Sequence, residues 1–174
     1  MDSARASAEV EARVGGALAA LGRWDEAAVA YRVARKHALQ ANDPKGLPAY
    51  ELNCATAFHA LGRYGEALAG YERAAHFARM LDRIVTVAAA LTNLASLYES
   101  LGCMPEARMA LARAREACER SGYALYAAQC DLIEAETHRV ELGPKSTRGV
   151  SGARRIPAGH GSGALVERVE PWCA

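Results

Sequence analysis

The feature that most constrains this chain is internal self-similarity at a spacing of 40 residues. Ala17 to Ala38 reads ALAALGRWDEAAVAYRVARKHA, and 40 residues on, Ala57 to Ala78 reads AFHALGRYGEALAGYERAAHFA. Ten of the 22 positions are identical: Ala17, Ala20, Leu21, Gly22, Arg23, Glu26, Ala27, Tyr31, Ala34 and Ala38. A third copy, LYESLGCMPEARMALARAREAC from Leu97 to Cys118, keeps Leu101, Gly102, Glu106, Ala107, Arg113 and Ala114 in phase. A fourth Leu-Gly pair, Leu142-Gly143, follows with a slip of one residue. A chain built this way stacks one supersecondary unit on the next, because a single unit cannot bury its own apolar face.

Each copy has a local physical reading. The Leu-Gly pair ends a first helix, with Gly22, Gly62 and Gly102 free to adopt the left-handed conformation at the C-terminus. A second helix begins within a residue or two. Asp25, Glu26, Glu66 and Glu106 place acid in its first turn, where the helix dipole favours negative charge, and Pro105 is tolerated there. Ala27, Ala67 and Ala107 are small where two helices cross. Tyr31, Tyr71 and Leu111, with Ala34, Ala74 and Ala114, continue the same helical face. The unit is a helical hairpin with a small-residue crossing.

Composition agrees. Of 39 alanines only four fall after Gly143, and alanine is both the best helix former and the side chain that permits close helix approach. The formal charge is +1 with acids and bases interspersed, which gives no footprint for nucleic acid or a membrane surface. The N-terminus has no apolar core of a secretory signal, and no apolar run reaches the length of about 18 residues that a membrane span requires. The five cysteines, Cys54, Cys103, Cys118, Cys130 and Cys173, are scattered and odd in number, which points to free thiols and a cytoplasmic location.

The pattern Leu-Gly-x-aromatic-x-Glu-Ala-x3-Tyr-x2-Ala resembles the tetratricopeptide repeat over residues 5–142. The resemblance implies an all-α, right-handed superhelical solenoid of antiparallel helix pairs, about three and a half repeats or seven helices, that binds protein and needs no cofactor. The standard repeat is about 34 residues. A period of 40 is similar instead to the lengthened repeats of kinesin light chains, of bacterial regulators of the maltose-activator type, and of arrays that precede CHAT protease domains. Ala127 to Glu136, AAQCDLIEAE, is similar to the last group. Six extra residues lengthen each pair by roughly 9 Å of helix.

The pattern predicts first helices over 3–21, 47–61, 84–101 and 123–142, and second helices over 25–41, 65–81 and 105–120. Asn42, Asp82 and Gly122 recur at the breaks between repeats as turn and cap residues. Residues 1–142 thus form the helical repeat domain. From Gly143 the character changes: the last 32 residues hold six glycines, three prolines and three serines, carry a net +3, and lack the repeat pattern, so 143–174 reads as a disordered tail. With no second helix in the fourth repeat, the seventh helix is either a polar cap or a sign that the chain is an excerpt of a longer array. The abrupt onset of the first repeat tips the expectation to the excerpt.

Chemistry-bearing residues form no catalytic constellation, and the chain is not expected to be an enzyme. His37, His59, His76, His138 and His160 stand at no metal-ligand spacing with a cysteine or carboxylate. The run Gly159–Gly163 lacks the strand and helix of a phosphate-binding loop, and Arg154-Arg155 is too small a basic cluster for nucleic acid. The exposed stripe of the first helices says more. Leu52, Ala55, Phe58 and Leu61, and one repeat on Leu91, Leu94, Ala95, Tyr98 and Leu101, follow core spacing. Ala49, Asn53, Thr56, His59 and Ala60, and then Ala89, Asn93, Ser96 and Ser100, form a separate stripe. The resemblance implies that this stripe faces the concave groove and that Asn53 and Asn93 hydrogen-bond a bound peptide backbone. The plain alternative is a solvated polar face. Asn53, Thr56, His59, Asn93 and Ser96 are the candidate groove residues, with no catalytic or metal site. The family's basic clamp for a C-terminal carboxylate is missing, since its positions hold Ala12, Gly16, Ala89 and Asn93. The expected function is capture of a peptide or protein partner, with a sensor or scaffold segment of a larger bacterial regulator or CHAT-protease effector as the alternative.

Overall fold

A computed structural model describes residues 2–142. Among them are seven helices and one short 3-10 turn: α1 (Asp2–Ala20), α2 (Trp24–Gln40), the turn Pro44–Gly46, α3 (Leu47–Ala60), α4 (Tyr64–Met80), α5 (Ile84–Ser100), α6 (Met104–Arg120) and α7 (Ala124–Leu142). The fold class is all-α. The segment 143–174, with Cys173, His160 and the glycine-rich run, lies outside the described residues.

Helix ends fall within about a residue of expectation, and the first five helices each end one residue earlier, at Ala20, Gln40, Ala60, Met80 and Ser100. The second helices start at Trp24, Tyr64 and Met104 rather than at the following Asp25, Gly65 and Pro105. The residues before them, Arg23, Arg63 and Cys103, donate no capping side chain; each lends its backbone carbonyl to Ala27, Ala67 or Ala107. Arg23 and Arg63 instead reach three residues forward to Glu26 and Glu66. The Arg23 guanidinium holds the Glu26 carboxyl below its usual range. The first-turn acid is therefore fixed by a neighbouring cation as well as favoured by the dipole.

All six breaks close in the same way. At the first, the Gly22 N–H donates to the Ala19 carbonyl (2.9 Å) and the Arg23 N–H to that of Leu18 (2.9 Å), the 5→2 and 6→1 bonds of a Schellman motif. The motif needs positive φ at one residue, and this residue recurs every 20 positions: Gly22, Asn42, Gly62, Asp82, Gly102 and Gly122. The four glycines have φ between 71° and 77°, and Asn42 and Asp82 have φ of 52°. The sequence repeats at 40, but the backbone repeats at 20. Helices α2, α4, α5 and α6 share a length of 17 residues, about 26 Å, so a 17-residue helix and a three-residue turn make one structural unit.

Consecutive helices pack against one another along the whole chain, most extensively within the pairs α1–α2, α3–α4 and α5–α6. The first helices also touch each other, α3 on α5 and α5 on α7. Between second helices, and between α1 and α3, contact is slighter, so α3, α5 and α7 make a close row and α2, α4 and α6 a splayed one. Small residues set the crossings. Gly70 of α4 meets Ala55 of α3 so closely that a Cβ at 70 would lie 2.7 Å from the Ala55 Cβ. Gly15 leaves the same kind of space for the Tyr31 ring. The crossing alanines Ala27, Ala67 and Ala107 are each fully buried, as expected.

The core runs from repeat to repeat through Tyr31, Phe58, Tyr71, Leu91, Leu94, Leu97 and Leu111. α5 is buried on most of its circumference, because it has α4 and α6 on its flanks and α3 and α7 beside it. That explains why its apolar residues do not confine themselves to one stripe. Among the described residues every buried side-chain nitrogen and oxygen has a hydrogen-bond partner. No described helix is long and apolar enough to cross a membrane.

Candidate functional site

The five groove candidates separate into two groups. Asn53 on α3 and Ser96 on α5 are exposed, and Asn93 on α5 is half-buried. Neither the Asn53 nor the Asn93 side chain has an intramolecular hydrogen bond among the described residues. One repeat separates them in sequence, and their helices adjoin, so the two amides stand at equivalent places on neighbouring members of the close row. An amide offers two donors and an acceptor, the set that an extended peptide backbone requires.

Thr56 and His59 are placed differently. Both are half-buried against α4, where the Tyr71 hydroxyl lies 3.5 Å from Thr56 Oγ1 and 3.4 Å from His59 Nδ1. Thr56 Oγ1 also donates to the Leu52 carbonyl (3.0 Å). The His59 ring stands edge-on to Tyr64 and Tyr71, with centroids 6.1 and 6.2 Å away, and burial lowers its pKa. His59 is therefore not the freely solvated side chain that its sequence position suggested. One repeat on, Leu111 replaces Tyr71 and offers no hydroxyl, and Ser96, the counterpart of Thr56, stays exposed. Tyr71 is the side chain that decides which stripe residues remain available.

The sequence reading missed a network on the other side of α3. Glu51 is 3% exposed, and its carboxylate accepts from Arg35 Nη1 of α2 (2.9 Å) and from Arg73 Nε of α4 (3.1 Å). It ties three successive helices together. Eighty residues on, Arg115 and Asp131 repeat the Arg35–Glu51 pair at 3.2 Å, with Glu134 at 3.4 Å. The intervening repeat holds Ala75 and Leu91 at these positions, and both are fully buried. There Arg113, the counterpart of Arg73, turns to Glu72 instead (3.1 Å). Position pairs 16 apart thus switch together between an ion pair and an apolar contact, a signal that the aligned repeats contain.

Three of the four described cysteines, Cys54, Cys118 and Cys130, are free and buried. The expectation of free thiols holds for these three. Burial, with the Glu51 charge adding to it, pushes the Cys54 thiol up to about 11, and burial also raises Cys118 and Cys130. At neutral pH these three are overwhelmingly protonated, the opposite of what a nucleophilic cysteine requires. Among the described residues no three His, Cys, Asp or Glu side chains gather as metal ligands.

In comparison with known proteins, the chain matches no family model and no curated protein sequence.

Proposed function

We propose that the chain is a tetratricopeptide-like superhelical module that captures an extended segment of a partner protein along its close row of helices. The observation that carries this reading is the pair Asn53 and Asn93: equivalent positions, adjoining helices, and amides that the protein does not use for itself. In a right-handed stack the close row lines the concave side, and a peptide lying there meets one amide per repeat. Its backbone groups lose water on binding, and each then needs a partner. Ser96 adds a hydroxyl beside Asn93. Thr56 and His59 serve this surface indirectly, by fixing its edge through Tyr71.

A photoreactive amino acid introduced in turn at Asn53, Ser96 and Met109 tests this directly. Met109 is 61% exposed on α6, in the splayed row. The proposal expects one partner cross-linked from 53 and 96 and not from 109. Cross-linking of that partner from 109 alone would place binding on the other face.

A further inference from the structure

We propose that the cleft between α2 and α4 is a second, independent binding surface, and that it takes an acidic segment of a partner protein. First and second helices differ in charge. Within their bounds α1, α3, α5 and α7 carry −1, −1, −1 and −3, a net of −6, whereas α2, α4 and α6 carry +1, 0 and +1, a net of +2. The splay of the second helices opens a cavity of about 290 Å³ between α2 and α4. The α4 wall is kept low by Gly65 and Ala69, and the floor comes from Phe58 and Cys54 of α3.

The cations of this cleft are only partly neutralised. Arg35 and Arg73 share the single carboxylate of Glu51 and remain 40% and 45% exposed, so each guanidinium keeps N–H groups for a ligand. Arg32, which lines the same wall, and Lys36, one turn further along α2, are exposed and have no ion-pair partner among the described residues. The carboxylates at the cleft are already engaged: Glu51 is buried beneath the two arginines, and Glu66 pairs with Arg63. Three arginines around a slot floored by Phe58 and Cys54, with Lys36 one turn beyond, match a protein segment that alternates carboxylates with aliphatic side chains. A phosphate backbone would meet the same cations but has no aliphatic groups to set against Phe58 and Ala69.

The test is fluorescence anisotropy on the full chain at low salt, with three labelled probes. These are a 12-residue peptide alternating Glu with Leu, the same peptide with Lys for Glu, and a 12-nucleotide single strand. The acidic peptide is expected to bind, to weaken as salt is raised, and to lose at least about tenfold in affinity in Arg32→Glu/Lys36→Glu. Ala69→Trp, which fills the cleft from an exposed position, is expected to cause a similar loss at unchanged melting temperature, while Asn53→Ala leaves binding intact. No binding of the acidic peptide, tighter binding of the nucleotide strand, or loss in Asn53→Ala but not in the α2 variant would overturn the proposal.

Discussion

Glu51 offers a quantitative test of how this molecule joins one repeat to the next. Its carboxylate is 3% exposed, while the Arg35 and Arg73 side chains that hold it are 40% and 45% exposed. The three partners are therefore not equivalent. Removing both guanidiniums by Arg35→Ala/Arg73→Ala leaves a buried carboxylate unpaired, at an expected cost of about 3–5 kcal/mol. Removing the carboxylate by Glu51→Leu leaves two arginines that can turn to water, and should cost about 1 kcal/mol or less. The swap Arg35→Ala/Glu51→Leu reproduces the Ala75 and Leu91 of the next repeat, which pack fully buried, and should be neutral within about 1 kcal/mol. Urea unfolding followed by helical circular dichroism, with slopes compared to confirm similar exposed surface, measures all three. A larger loss for Glu51→Leu than for the arginine double variant would refute the reasoning, since it would mean the charge cost lies on the guanidiniums.

Three further outcomes follow from the fold. Ala67→Leu should overpack the α3–α4 crossing at a cost of about 1–3 kcal/mol, while Ala69→Leu, on the exposed side of the same helix, should change stability little; equal losses in urea unfolding would refute the assigned face. Asp82→Gly should stabilise the chain, because φ of 52° burdens a side chain and not glycine, and a melting temperature unchanged or lowered would count against the left-handed turn. Burial lowers the His59 pKa below its ordinary 6.5, so the unfolded chain binds the proton first and stability falls as pH drops through 6.5; His59→Gln should remove that part of the slope in unfolding experiments from pH 7.5 to 5.5.

Much of the fold was legible because it rests on local signals. The Leu-Gly pairs, the turn residues Asn42 and Asp82, and the alanines at the crossings each dictate backbone or contact distance by themselves. The 20-residue backbone period was hidden because glycine fills the left-handed position in one set of turns and Asn or Asp in most of the other. The starts at Trp24, Tyr64 and Met104 were missed by one residue because their caps use backbone carbonyls, which no side chain advertises. Gly70 escaped notice because the other repeats place Ala30 and Ala110 there, and only the approach of Ala55 makes its missing Cβ matter. The site was less legible. Nothing local marks Arg35 and Arg73 as partners, or says that Glu51 lies buried between them. The stripe residues Thr56 and His59 looked like Asn53 until the Tyr71 hydroxyl was found beside them.

The central claim is that Asn53 and Asn93 serve a bound peptide and not the fold. A peptide selected from a displayed random library against the full chain, and titrated by calorimetry into wild type, Asn53→Ala, Asn93→Ala and the double variant, tests it most directly. Each single change should weaken binding by about 1–3 kcal/mol, the cost of leaving a buried backbone group unpaired, with the melting temperature unchanged. Affinity unaltered in the double variant, or a fall in melting temperature that accompanies the loss of affinity, would contradict the account.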